Sequence, residues 1–218
     1  MKKTLILAGL LASACATNAA VILSSDFTGA GTAGNLTWDT QDAAITTISN
    51  LTAVGGPFDV LGNQSTVDDV TINDNLNDRT AKGFNFNFTT TTAFDLNSLA
   101  IDTGHLNSVG GVQAFDSDLV LTITQTAGGS YTYSDSFNIA YSNARAEGQL
   151  PQSFDLTGES IGAGTYTVQL HMIDNDNGIG GAFASYDNFS LDATAVPEPS
   201  STALLGLAGL GLMIRRRL

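Results

Sequence analysis

Apolar and polar residues alternate in short windows along the middle of the chain. In GFNFNFTT, Phe84, Phe86 and Phe88 alternate with Asn85 and Asn87. Leu119, Leu121 and Ile123 alternate with polar neighbours in DLVLTITQT, and Tyr166, Val168, Leu170 and Met172 do so in TYTVQLHM. A period of two turns one set of side chains to a core and leaves the other set polar, so each window predicts a half-buried strand. Weaker windows of the same kind are AVILSSDF, NLTW, AAITTISNLTAV, VDDVTI, FDLNSLAI, GGVQAF, SYTYSDSFNI, SFDLT and ASYDNFSL. Gly, Asn, Asp and Ser separate them at the spacings of all-β proteins, and no window sustains a helical period. Abundant threonine fits the same picture, because β-branched residues favour strands. No fixed repeat and no internal linker interrupts the pattern. The prediction is an all-β fold, a two-sheet antiparallel β-sandwich of jelly-roll type.

The two ends break the alternation. Met1, Lys2 and Lys3 precede an apolar run from Thr4 to Ala16, and small residues at Thr17 and Ala19 place a cleavage site after Ala19. Residues 1–19 therefore read as a helical secretory signal peptide, too short to span a bilayer permanently. At the other end, Pro197 and Pro199 hold the backbone out of a helix, and Ala203 to Ile214 is an unbroken apolar run. Arg215, Arg216 and Arg217 follow it and would hold the terminus on the cytoplasmic side. The run is brief for a transmembrane helix and reads as a weak membrane tether. With Pro197, Glu198 and Pro199 as the tripeptide, then the hydrophobic helix and the Arg cluster, residues 196–218 resemble a PEP-CTERM sorting signal. What the resemblance implies is a Gram-negative cell that makes exopolysaccharide, and an exosortase at the inner membrane that recognises the tripeptide and removes the tail. Residues 20–195 are left as the ectodomain, with Ala193 to Ser201 as its flexible exit.

Charge narrows the partners. The chain has 218 residues, with 8 basic and 21 acidic side chains and a net charge of −13. Within residues 20–195 only Arg79, Lys82 and Arg145 are basic, against 20 acids, so no phosphate-binding surface is available and nucleic acid is excluded. The one cysteine, Cys15, lies in the signal segment, which excludes a disulfide framework and a thiolate zinc site. Stability must come from the apolar core or from bound ions, and a domain of this size can bury about 70 % of its unfolded surface.

Candidate chemistry is sparse. Asp174, Asn175, Asp176, Asn177 and Gly178 follow the strand ending at Ile173, and oxygen ligands at such spacing suit calcium. The same residues also suit a tight Asn-Gly hairpin turn with solvated aspartates. Asp26 and Asp187 form a second candidate, because the first and last strands of a sandwich often adjoin and could share a calcium ion. The YDNFSL segment around Asp187 resembles the final strand of carbohydrate-binding-module jelly rolls, which implies a structural calcium nearby. Asp68, Asp69, Asp74 and Asp78 read as a solvated acidic loop. His105 and His171 are the only histidines, and no nucleophile elbow, zinc-protease helix or phosphate loop occurs, so no catalytic residue is assigned. Trp38, Tyr131 and Tyr133 are candidate ligand-binding residues, since sugar rings stack on aromatic faces while Asp, Asn and Gln take their hydroxyls. The expected function is a secreted, non-enzymatic surface or matrix protein that associates with extracellular polysaccharide, with calcium bridging its acidic surface to anionic sugars. A secreted polysaccharide hydrolase and a structural coat protein without a ligand are the alternatives.

Overall fold

The computed structural model describes residues 19–27, 37–59, 70–72, 80–106, 115–141, 149–175 and 183–197. The predicted terminal helices lie outside them. The first strands are β1 (Ala20–Ser25), β2 (Thr40–Gln41), β3 (Ile45–Ile48), β4 (Thr52–Val54), β5 (Phe58–Asp59), β6 (Val70–Ile72) and β7 (Lys82–Thr90). The rest are β8 (Phe94–Leu106), β9 (Phe115–Ala127), β10 (Thr132–Tyr141), β11 (Leu150–Asp155), β12 (Ser160–Ile161), β13 (Gly164–Asp174) and β14 (Phe183–Ala195).

They form two antiparallel sheets, the predicted sandwich. One runs β11-β8-β14-β1-β2, with β12 beside β8 and the β5-β6 pair beside β14; the other runs β10-β9-β13-β7-β3, with β4 beside β7. The chain changes sheet repeatedly, between β2 and β3, β4 and β5, β6 and β7, β7 and β8, β8 and β9, β10 and β11, β12 and β13, and β13 and β14, the kind of crossover that builds jelly rolls. Phe84, Phe86 and Phe88 of β7, Leu119 and Leu121 of β9, and Val168 and Leu170 of β13 face inward against Leu99, Ile101, Phe189 and Leu191 of the other sheet, and all are buried. The NLTW window does not supply a strand in its described residues. Trp38 turns inward onto Phe86 instead, and pairing with β1 begins only at Thr40.

Parity places several polar residues inside. Lys82 shares the face of Phe84 and Phe86 and is buried; its Nζ donates to the Gly55 carbonyl at 2.8 Å, and its own carbonyl accepts the Tyr186 hydroxyl. His105 shares the face of Ile101 and Thr103 and is buried with its Nε2 3.4 Å from Ser117 Oγ.

The sandwich has two unlike ends. Short turns join β7 to β8, β9 to β10, and β11 through β12 to β13 at one end. Leu106, Phe115, Tyr141, Leu150, Asp174 and Phe183, where strands end or begin, mark the other. Ala20 opens β1 opposite Ala193, near the end of β14, so both chain ends leave from the short-turn end. The expected flexible exit does not begin at Ala193. Ala193 is buried, Ala195 pairs with Phe94, and the Val196 N–H donates to the Ala93 carbonyl at 2.9 Å, because the outgoing strand is still held by β8.

Candidate functional site

Strands β10 and β11 are the outer strands of the two sheets, and the seam between them closes where the Phe137 ring meets Phe154 at 4.9 Å. Toward the short-turn end the same seam carries Tyr131 and Tyr133, both half-buried against the core. Tyr131 immediately precedes β10, fixed by its N–H donating to Gln125 Oε1 at 3.3 Å, with its ring 6.3 Å from that of Tyr166. Its hydroxyl donates to Glu159 Oε2 at 2.9 Å. Tyr133 lies two residues on, on the same strand face, and its hydroxyl donates to Asp135 Oδ2 at 3.3 Å. Burial and then the Asp135 and Glu159 charges push the Tyr133 phenol up to about 12. Burial, and then the hydrogen bond and charge of Glu159, raise Tyr131 further. Both rings therefore stay neutral donors at ordinary pH. The seam offers two oriented aromatic faces rimmed by the carboxylates of Asp135, Glu159 and Asp155. Trp38, the third predicted ligand-binding residue, is not with them: it packs against Phe86 at 4.9 Å and Phe189 at 6.0 Å.

Of the predicted pair, Asp187 lies in β14, which pairs with β1, and Asp26 follows the end of β1, where Ser25 faces Phe189. Asp26 donates its N–H to Asp39 Oδ2 at 2.7 Å. Asp187 pairs across with Asp102, and between them the Asn188 amide donates to Asp102 Oδ2 at 2.8 Å and to Asp187 Oδ2 at 3.3 Å. Asn188 has φ of 50°, the left-handed conformation asparagine tolerates, at a break in the β14–β8 register. Asp102, Asp39 and Asn188 were missed, although the Asp-Asn pair in a strand window is a signal for such a break.

Asp174 is the last residue of β13 and points to the core at 5 % exposure, so it does not sit on a solvated turn after the strand. It has the parity of Met172, which is why it faces inward. Asp176 lies outside the described residues. On the other face, the Asn175 amide donates to Asp118 Oδ1 at 2.8 Å, and the Asn138 amide donates to Asp116. Among the described residues, no three His, Cys, Asp or Glu side chains converge to hold a metal ion.

Burial holds the His105 imidazole well below its ordinary value of 6.5. A group depressed in the folded state contributes stability above its unfolded value, and that contribution is lost as pH falls. The denaturant midpoint is therefore expected to drop as pH falls from about 7 to about 5, and His105→Gln is expected to flatten that slope. Urea titrations of both proteins across the range check this.

Residues 195–217 match the PEP-CTERM protein-sorting motif. The chain carries that sorting signal. In the PEP-CTERM motif, Ala195 is still strand and Pro197 is exposed, while Glu198, Pro199 and Arg215 to Arg217 lie outside the described residues. No helix among the described residues is long and apolar enough to cross a membrane. No curated protein matches the chain. Among solved structures, the arabinose-bound α-L-arabinofuranosidase MgGH51 is similar at 15 % identity and a TM-score of 0.31, over 69 % of this chain and 23 % of that one. The chain thus spans under a quarter of that enzyme's length. The module TmCBM61, solved with β-1,4-galactotriose, is similar at 10 % identity and a TM-score of 0.30, over 67 % of this chain and 88 % of the module. A carbohydrate-binding module of the β-sandwich superfamily is similar at 10 % identity and 0.30, over 73 % of this chain and 66 % of its own.

Proposed function

We propose that the PEP-CTERM chain is an exosortase-sorted, non-enzymatic protein of the Gram-negative cell surface or matrix, which associates with exopolysaccharide along the Tyr131–Tyr133 seam. The observation that carries this is the pair of half-buried rings whose hydroxyls are held by Glu159 and Asp135. Fixed hydroxyls pre-orient the aromatic faces, so less order is lost when a sugar stacks on them. The carboxylates at the rim then accept sugar hydroxyls. The sorting motif supports delivery to the place where such polymer lies, with the exosortase and the inner membrane as transient partners through the tail.

Calcium belongs to the proposal as an ion near Asp26 and Asp187. Support comes from Asp102 and Asp187, whose carboxylates are already drawn together around one amide. The test is retention of the purified domain on a glycan array and on matrix extract, with and without calcium. The wild type is expected to bind, more strongly with calcium. Tyr131→Ala combined with Tyr133→Ala is expected to lower retention about tenfold or more, about 1.4 kcal/mol, with an unchanged circular dichroism spectrum. Equal retention by the double variant, or none by the wild type, would overturn the seam as the site. Release of reducing sugar by the wild type would make the protein a hydrolase instead.

A further inference from the structure

The seam is not electrically neutral, and this bears on which polysaccharide it takes. Glu159 and Asp135 each accept a tyrosine hydroxyl, and an ionised carboxylate has several further acceptor positions. Asp155, the last residue of β11, adds a third carboxylate on the opposite strand; it is exposed, and its Oδ1 accepts the Thr157 N–H at 2.9 Å. Its N-terminal neighbour Phe154 is the residue that closes the seam against Phe137. Among the described residues the only Lys or Arg is Lys82, which is buried and bonded to Gly55, whereas the seam lies toward the short-turn end. No basic side chain of the described fold therefore neutralises the three carboxylates.

An anionic sugar chain approaching this seam would meet like charge from the rim and from a domain with 20 acids and three bases. A neutral chain would gain stacking alone. A sugar carrying a free ammonium group would gain more, since the cation can bond to the rim carboxylates while lying over the negative face of a tyrosine ring. The geometry points to a cationic amino-sugar polymer, with glucosamine-type units, as the ligand of the Tyr131–Tyr133 seam. This rests on the reading that the seam meets polysaccharide, and it names the class of sugar.

The test compares a β-1,4-linked glucosamine oligomer with its fully N-acetylated counterpart, which keeps the rings and removes the charge. Calorimetric titration of the wild-type domain is expected to give about tenfold or more tighter binding to the amine form, with the difference shrinking toward none in about 1 M salt. Glu159→Gln combined with Asp135→Asn is expected to abolish the preference, weakening the amine form about tenfold or more beyond any loss shared with the acetylated oligomer. Asp116→Asn combined with Asp118→Asn removes the same charge from the outer sheet face, and is expected to leave the preference intact. If that outer pair lowers the preference as much as the seam pair, overall charge carries it and the inference falls. Equal binding of the two oligomers by the wild type, lost in the double tyrosine variant, overturns the amino-sugar class and leaves the seam standing. Binding of a uronic-acid polymer through calcium in place of the amine form also overturns it. Failure to bind any sugar or matrix extract removes the seam reading itself.

Discussion

Replacing Phe86 with alanine is expected to cost the domain about 3–5 kcal/mol, a large share of the roughly 5–15 kcal/mol a domain possesses. Phe86 is 1 % exposed and is one of the rings through which the two sheets meet: Trp38 lies at 4.9 Å and Phe189, from the opposite sheet, at 5.5 Å with its ring nearly perpendicular. Deleting it leaves a void that neither neighbour can enter without giving up the other contact, so a cavity term adds to the lost burial. Trp38 is the only tryptophan and sits on that ring, so its fluorescence reports both the loosened native packing and the urea midpoint. A loss below about 1 kcal/mol would show that the aromatic cluster does not join the sheets. Phe137 at the half-buried seam is expected to cost less by the same change.

Gly83→Ala is expected to be nearly as damaging, about 3 kcal/mol or more, although it adds one carbon on the outer sheet face. Gly83 pairs with His171, and a Cβ at Gly83 would stand 2.0 Å from the Leu170 carbonyl oxygen and 2.6 Å from the His171 Cα. Both are backbone atoms of β13, so no side chain can swing aside and the two strands must separate. Lys82, the preceding residue, would move with them and strain the hydrogen bond from Tyr186. Gly158 gives the contrast, with φ of +95° and nothing near its missing Cβ. Alanine there meets only backbone strain, about 1 kcal/mol. Thermal unfolding of the two variants side by side checks the difference, and similar midpoints would refute the close approach at Gly83.

The strands of β7, β9 and β13 were legible because each has one core face and one polar face, the condition under which a period of two shows in sequence. Strands β5 and β12 were not, since two residues carry no period. The inward polar residues Lys82, His105 and Asp174 were readable in principle: each continues the parity of buried neighbours, yet its chemical type suggests the surface. The seam was half legible. Tyr131 and Tyr133 stand out as aromatics in a strand window, but Glu159 lies 28 residues from Tyr131 and reaches it only because β12 docks on β8. No local signal reports a contact made by crossing from one sheet to the other. The Asp187–Asn188 break was visible as a turn-forming pair inside a strand, while its partner Asp102 was not, because register across β14 and β8 is a tertiary fact.

Both chain ends depart from the short-turn rim, and Glu159 stands on that same rim, its carbonyl accepting the Leu96 N–H at 2.8 Å. Whatever grips the chain beyond residue 196 therefore holds the sandwich by its foot, next to the aromatic strip. The thirteen residues of β14 set the far rim about 40 Å outward. A polymer lying flat along the envelope would brush Tyr131 and Tyr133 at ankle height, while the opposite rim, where β14 begins at Phe183, stood clear of it.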